Sequence, residues 1–360
     1  MQYWIKKELE NSDCGDKRLD RRFELILERL SKKPSVSIPA ACNGWDETKA
    51  AYRFFNNEKI SEEVILKPHK EATIQRIAQQ DVVLLAQDTT ELELTHAEQN
   101  MKDAGPLSSE YHIGFYNHPM LSLTPERIPL RLVDVHIWAR DMEEFLENKK
   151  RSKEEKEKKR LETPIEDKES YRWVKGYKKA CEIARKVPDT TIVQLSDSES
   201  DIFEYFLAAI PEDEEKMAEW IVRACQNRSL SSKTQEGAWD KLWDKVARAP
   251  IIETIEIKVG KNTPSSNDDR KRRQSPSCRI TKATVQARRV ELKAPYRPGG
   301  IHLSNVSVNA VLVRELKPPE EEGPIEWLLL TSLPINTLEE VLLVVAYYCC
   351  RWEIEIFFGF

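Results

Sequence analysis

Several features that would mark a membrane, secreted or zinc-binding protein are missing from this sequence. No apolar run reaches membrane-spanning length, and the stretch 341–348 is far too short. The opening residues, Met1-Gln2-Tyr3-Trp4-Ile5-Lys6-Lys7, lack the apolar segment of a secretory leader, so a cytoplasmic location is expected. The seven cysteines (Cys14, Cys42, Cys181, Cys225, Cys278, Cys349, Cys350) are scattered and include no C-x-x-C pair. That excludes an obvious zinc ribbon and fits reduced thiols. The six histidines do not cluster either, so a bound metal would have carboxylate ligands, pointing to Mg²⁺ or Mn²⁺. A uniformly basic coat is absent too: 56 Lys and Arg face 61 Asp and Glu, a formal charge of −5, which leaves room for local patches.

What is present describes a charge-rich globular chain. Its 360 residues, 40% hydrophobic and 32% charged, suffice for two or three domains and a sizeable core. Residues 16–33 read as a helix, with Leu19, Phe23, Ile26, Leu27 and Leu30 on one face and Lys17, Arg18, Arg21, Arg22 and Arg29 elsewhere; Pro34 ends it. Residues 48–55, with Lys49, Tyr52 and Arg53, and residues 61–80 continue helical. Arginines such as Arg18, Arg22 and Arg53 on a small helical module suit a DNA backbone; a solvated face on an ordinary bundle is the plain alternative.

The pattern changes at residue 82. Val82-Val83-Leu84-Leu85-Ala86 predicts a buried strand that delivers Asp88 at its C-terminal end, in Gln87-Asp88-Thr89-Thr90. Residues 120–123 and 128–138, joined by a turn, predict an antiparallel meander beside it. Residues 141–161 are nearly all Glu and Lys and predict a solvated helix or connector without chemistry. A helix over 169–186, with Trp173, Tyr177, Ala180 and Ile183 on one side, leads to a second buried strand, 191–196, ending at Asp197. The acids that follow, Glu199 and Asp201, are explained by an acidic helix start complementing the dipole. Asp197 is explained less well, because like Asp88 it ends a strand.

A third strand, 220–224, precedes a basic region. Residues 251–300 hold 12 Lys and Arg against 5 Asp and Glu. Alternation around Ile255, Ile257 and Val259, then Ala283, Val285 and Ala287, then Val306, Val308, Ala310 and Leu312 predicts an antiparallel β insertion. Its loop, 264–277, carries Arg270, Lys271, Arg272 and Arg273, which read as a phosphate-backbone contact or as a solvated tip. Residues 327–331 predict a final buried strand. Residues 336–358 predict one helix, with Thr337 as N-cap and Glu339 and Glu340 in its first turn. On it, Tyr348, Arg351 and Glu355 fall at i, i+3 and i+7, one face. A guanidinium that forks onto phosphate and a carboxylate that holds a cation would suit that stripe, as would a merely solvated polar face.

Asp88, Asp197 and Glu355 thus form a strand–acid, strand–acid, helix–acid series on a mixed α/β scaffold. Converging carboxylates of this kind can hold two divalent metals roughly 3.5–4 Å apart for in-line attack on a phosphodiester.

The chain resembles the bacterial DDE transposases of the IS-four insertion-sequence group, which includes the Tn-five transposon. The resemblance rests on Gly15-Asp16-Lys17-Arg18-Leu19, Lys49-Ala50-Ala51-Tyr52-Arg53-Phe54-Phe55, Gln87-Asp88-Thr89-Thr90, Asp197-Ser198-Glu199-Ser200-Asp201, Trp327-Leu328-Leu329-Leu330-Thr331-Ser332 and Tyr348-Cys349-Cys350-Arg351-Trp352-Glu353-Ile354-Glu355. It implies an α/β fold: an RNase H-like mixed-sheet catalytic core with an antiparallel β insertion, preceded by a small all-helical DNA-binding domain. The implied divisions are a DNA-end-binding domain over 1–60, the first part of the core over 61–224, the insertion over 225–320, and the last strand and catalytic helix over 321–360.

By the same resemblance, Asp88, Asp197 and Glu355 bind Mg²⁺ or Mn²⁺, and Tyr348 and Arg351 contact phosphates near the transposon end. Trp327 receives a flipped base (or is an ordinary core tryptophan), and Arg223 contacts DNA. The partners implied are double-stranded DNA, as transposon ends and target, and a second subunit. The family motif runs Tyr-Arg-Glu-Lys; its lysine would fall beyond Phe360, as would the subunit-pairing region. The expectation is therefore a C-terminally truncated cut-and-paste transposase, with a non-catalytic DNA-binding remnant or regulator as the alternative. An unrelated RNase H-like nuclease fits less well, because the insertion and the tyrosine–arginine–glutamate helix occur together in transposases.

Overall fold

The amphipathic stripe of residues 16–33 does form a helix; Phe23 and Ile26 are buried, and Leu19, Leu27 and Leu30 are partly buried against them. In the computed structural model, which describes residues 3–95, 103–210, 215–259, 279–297, 302–318 and 324–358, four helices open the chain: α1 (Tyr3–Glu8), α2 (Lys17–Lys32), α3 (Ile38–Ala41) and α4 (Trp45–Phe55). Asp16 caps α2 by accepting from the Arg18 N–H. Phe23 and Ile26 of α2 pack with Ile5, Ala51 and Phe54 in a small core of their own, with the Phe23 and Phe54 rings stacked at 5.7 Å. Helix α5 (Glu62–Ile77), capped by Ser61, leaves this module and lies against the sheet.

The sheet begins with β1 (Val82–Gln87), whose apolar run is buried on both faces. Short strands β2 (Thr90–Glu93) and β3 (Gly105–Pro106) and long strands β4 (Ile113–Leu123) and β5 (Pro129–Trp138) build one edge. The Glu- and Lys-rich stretch is two helices, α6 (Met142–Lys150) and α7 (Lys153–Glu162), neither with a buried residue. Helix α8 (Tyr171–Lys186) then crosses to β6 (Thr191–Ser196), and α9 (Phe203–Ala208) to β7 (Glu219–Ala224). Over residues 225–320, where an antiparallel insertion is expected, lie β8 (Ser229–Lys233), β9 (Trp239–Lys241), α10 (Leu242–Ala247), β10 (Ile251–Val259), β11 (Arg279–Leu292) and β12 (Val306–Glu315). Strand β13 (Glu326–Thr331) and helices α11 (Leu338–Cys349) and α12 (Glu353–Phe357) follow.

The described strands join in one mixed sheet of order β2-β4-β1-β6-β7-β13-β12-β11-β8-β9, with β3 and β5 on β4 and β10 on β11. Only the β1–β6 and β6–β7 pairs are parallel among the described pairings. Strands β10 to β13 run antiparallel and continue the sheet outward from β7. One face is covered by α8 through Trp173, Val174, Tyr177 and Ala180, the other by α11 through Val341, Val344 and Val345. Each of these buried valines contributes about 1.5–3 kcal/mol. No described helix is long and apolar enough to cross a membrane.

Two expectations are corrected. The single helix over 336–358 is broken: α11 and α12 are separated by a 3-10 turn, Cys350–Trp352. In that turn each residue advances by about 120° instead of about 100°, so the faces of α11 and α12 are rotated against each other. The acids after Asp197 do not open an α-helix either. Residues Ser198–Ser200 form a 3-10 turn and α9 starts only at Phe203. Asp201 turns inward instead: Arg228 donates from Nε (2.9 Å) and Nη2 (2.7 Å), and the Cys225 and Gln226 N–H groups donate at 2.9 and 2.8 Å. A buried carboxylate needs such partners, and they explain Asp201 better than a helix dipole.

Candidate active site

Parallel pairing of β1 with β6 brings the strand ends that carry the first two acids side by side. The register Ala86↔Leu195 is the last paired step, and Asp88 and Asp197 each lie two residues beyond it, just past the ends of neighbouring strands. Each carboxylate is fixed locally. The Thr89 N–H donates to Asp88 Oδ1 and the Glu199 N–H to Asp197 Oδ1, both at 2.8 Å.

Glu355 enters from α12 through Arg351. The Arg351 guanidinium donates from Nη2 to Glu355 Oε1 (2.9 Å) and from Nη1 to Asp88 Oδ2 (3.3 Å). Arg351 is only 5% exposed, so this is an internal cation and not a solvated one. Burial alone would make its charge harder to keep, but Tyr348, Asp88, Glu355 and Asp197 together hold its pKa above the ordinary value. The Asp88 carboxyl moves up from its usual range: burial is the main cause, Arg351 pulls it down, and Asp197 and Glu355 push it up again.

The aromatic residues expected at the DNA lie inside. Tyr348 is fully buried and Trp327 nearly so, packed with Trp352 at ring distances of 5.2–5.8 Å. Tyr348 Oη and Arg351 Nε are both buried without a hydrogen-bond partner, an arrangement that costs free energy unless a polar group reaches them. Arg223, on β7, donates from Nη2 to Ser198 Oγ (3.1 Å) and so lines the loop after Asp197. Arg270, Lys271, Arg272 and Arg273 lie outside the described residues. In the helical module Arg18 is exposed and paired with Asp16, Arg22 is half-buried, and Arg53 is exposed on α4 beside Lys49, Tyr52 and Trp45.

The donor chemistry of Asp88, Asp197 and Glu355 suits a hard divalent cation, since all three offer only oxygen ligands. The two aspartates, at the ends of adjacent strands, fit such an ion. Glu355 is turned to Arg351, and among the described residues no three His, Cys, Asp or Glu side chains stand close enough together to enclose a metal.

The sequence reading missed Arg172 and His118. Arg172 lies on α8 with 11% of its side chain exposed, against the loops after β1 and β6. His118, on β4, contacts Thr89 Oγ1 through Nδ1 at 2.9 Å, and burial pushes its pKa down to about 3, so its ring is neutral. Neither residue sits in a motif. Only the fold brings them to residue 89.

Among solved structures, the chain is similar to a piggyBac transposase in a synaptic complex with hairpin DNA, at 8% identity and a TM-score of 0.37. The match covers 94% of this chain and 57% of that one, so the chain spans little more than half of that relative's length. Residues 1–60, the module of α1 to α4, match the family model described as transposase DNA-binding.

Proposed function

We propose that the chain is a DNA transposase of the DDE type, in which α1–α4 bind transposon ends and Asp88, Asp197 and Glu355 hold Mg²⁺ or Mn²⁺ for phosphodiester cleavage and strand transfer. The observation that carries the reading is that Asp88 and Asp197 each follow directly on the end of one of two adjacent parallel strands, with Glu355 joined to Asp88 through one guanidinium. The transposase DNA-binding match of residues 1–60 supports the DNA partner. The strand order β5-β4-β1-β6-β7, with only β1, β6 and β7 parallel, supports the RNase H-like assignment of the core.

A bound divalent cation supplies Lewis-acid activation of the attacking oxygen and stabilises the leaving one. Asp88 and Asp197 would hold it, oriented by the N–H groups of Thr89 and Glu199. Arg351, bonded to Asp88, is the guanidinium this reading assigns to phosphate oxygens at the site, while Tyr348 lies fully buried.

The Arg351 bridge also favours a second reading, a DNA-binding protein that does not cleave, because the guanidinium already neutralises Asp88 and Glu355. Nicking and strand-transfer assays on terminal-repeat DNA with Mg²⁺ or Mn²⁺ separate the two. Metal-dependent cleavage abolished by Asp88→Ala is the expected result. Binding of the ends without cleavage under either metal would leave the second reading standing.

A further inference from the structure

The geometry points to Arg172 as a positioning residue that sets the spacing of the Asp88 and Asp197 carboxylates, a role that rests on the metal reading above. The β1–β6 ladder pairs residues as far as Ala86 and Leu195, and the aspartates lie two residues beyond it. There the chain departs in two directions, toward β2 after Asp88 and into the 3-10 turn after Asp197. The aspartates are held by the N–H groups of Thr89 and Glu199, and the side chains of those same two residues meet on one guanidinium. Arg172 Nε donates to Thr89 Oγ1 at 3.0 Å, and Arg172 Nη2 pairs with the Glu199 carboxylate.

The guanidinium itself is immobilised. Its Nη1 donates to the Glu169 carbonyl at 3.0 Å, ahead of α8, and its plane lies near the Trp138 and Trp173 rings at 5.5 and 5.6 Å. Thr89 Oγ1 is held from the other side by His118 Nδ1 at 2.9 Å. One rigid fork on α8 therefore ties the two acid-bearing loops to each other and to the helix that covers the sheet. Preset ligand oxygens bind a cation better than loose ones, and loss of such supporting contacts typically weakens metal affinity. A lysine at position 172 could pair with Glu199 but has no planar fork to reach Thr89 at the same time.

Mn²⁺ binding to the full chain, followed by the electron paramagnetic resonance of free Mn²⁺, tests this without any turnover. Thermal melting is measured in parallel on wild type, Asp88→Asn, Arg172→Met, Arg172→Lys and Glu199→Gln. Wild type should bind Mn²⁺ in an Asp88-dependent way. Arg172→Met should weaken that binding roughly 10- to 100-fold. Arg172→Lys should stay close to the Met variant, and Glu199→Gln, whose amide oxygen still accepts from the guanidinium, should lose less. Adding Glu199→Gln to Arg172→Met should cost little more, because the strap is already cut.

Wild-type affinity in Arg172→Met, with an Asp88-dependent site present in wild type, overturns the strap alone. So does restoration of both affinity and melting midpoint by lysine, which would reduce the role to charge. No Asp88-dependent site in wild type overturns the metal reading, and the strap with it. If Arg172→Met does not fold, Glu199→Gln carries the test, and unchanged Mn²⁺ affinity there counts against the strap.

Discussion

Arg351 is the residue on which the candidate site balances. Its guanidinium is buried, while the carboxylates it bridges are partly open, with 30% and 40% of their side chains exposed. Removing one partner of a fully buried pair costs about 3–5 kcal/mol; with these carboxylates partly hydrated, Arg351→Met should cost about 2 kcal/mol. Because much of that loss is Asp88 left facing Asp197 and Glu355 without a cation, Asp88→Asn should recover part of it in the double variant. Urea unfolding in chelator, run as a double-mutant cycle, measures the coupling. Strict additivity of the two changes would show that the bridge contributes nothing. The strand-end positions of Asp88 and Asp197 were legible in the sequence because each follows an apolar strand. The bridge was only half legible. Spacing put Arg351 and Glu355 on one face, but that Arg351 reaches back 263 residues to Asp88 is a property of the fold. Asp201 was misread for the same reason, since its partner Arg228 is recruited from the far side of β7.

At the scale of elements, α8 lies over β1 and β6, and Gly176 shows how closely. A Cβ at position 176 would fall 1.9 Å from Gln87 Nε2. The Gln87 amide is the end of a flexible side chain, yet it is buried, and its Oε1 accepts from Gln194 Nε2 at 2.5 Å. It cannot step aside without breaking that bond. Gly176→Ala should therefore destabilise by about 1–3 kcal/mol as an overpacked core site, although alanine is the better helix former. Shortening the obstacle with Gln87→Ser in the same chain should recover part of the loss in thermal melts. Since α8 also carries Arg172, a shift of the helix at residue 176 reaches the acid loops. Element existence was well legible here. Buried strands, the Trp173–Ile183 stripe and the Thr337 cap, which forms a capping box with Glu340, all follow local rules. The short strands β2, β3, β8 and β9 were not read from the sequence, because edge strands and hairpins of two to five residues carry too few alternations to stand out.

For the molecule as a whole, the question is how the helical module is coupled to the sheet that carries the acids. Glu8, at the end of α1, accepts from His69 Nδ1 and Arg76 Nη1 of α5, each at 2.9 Å, and Arg76 Nε donates onward to the Leu130 carbonyl of β5 at 2.9 Å. Lys70 adds a bond of 2.6 Å to Asp134. Module, connecting helix and sheet edge are thus joined through one nearly buried carboxylate. Burial alone would raise the pKa of Glu8, but the His69 and Arg76 contacts outweigh it and hold the carboxyl at about 2, against an ordinary value of 4.5. A carboxyl held below its unfolded value stabilises fully above about pH 4.5, and that stabilisation disappears as pH falls toward 2. Glu8→Gln should accordingly cost about 1.5–3 kcal/mol near neutrality, the range for hydrogen bonds to a charged group. The gap between variant and wild type should narrow steadily from about pH 4.5 downward and close near pH 2. Urea unfolding across that range checks both the size and the sign. A gap that widens in acid would mean that Glu8 is not the ionised centre of this joint, and that Lys70 with Asp134 carries the coupling instead.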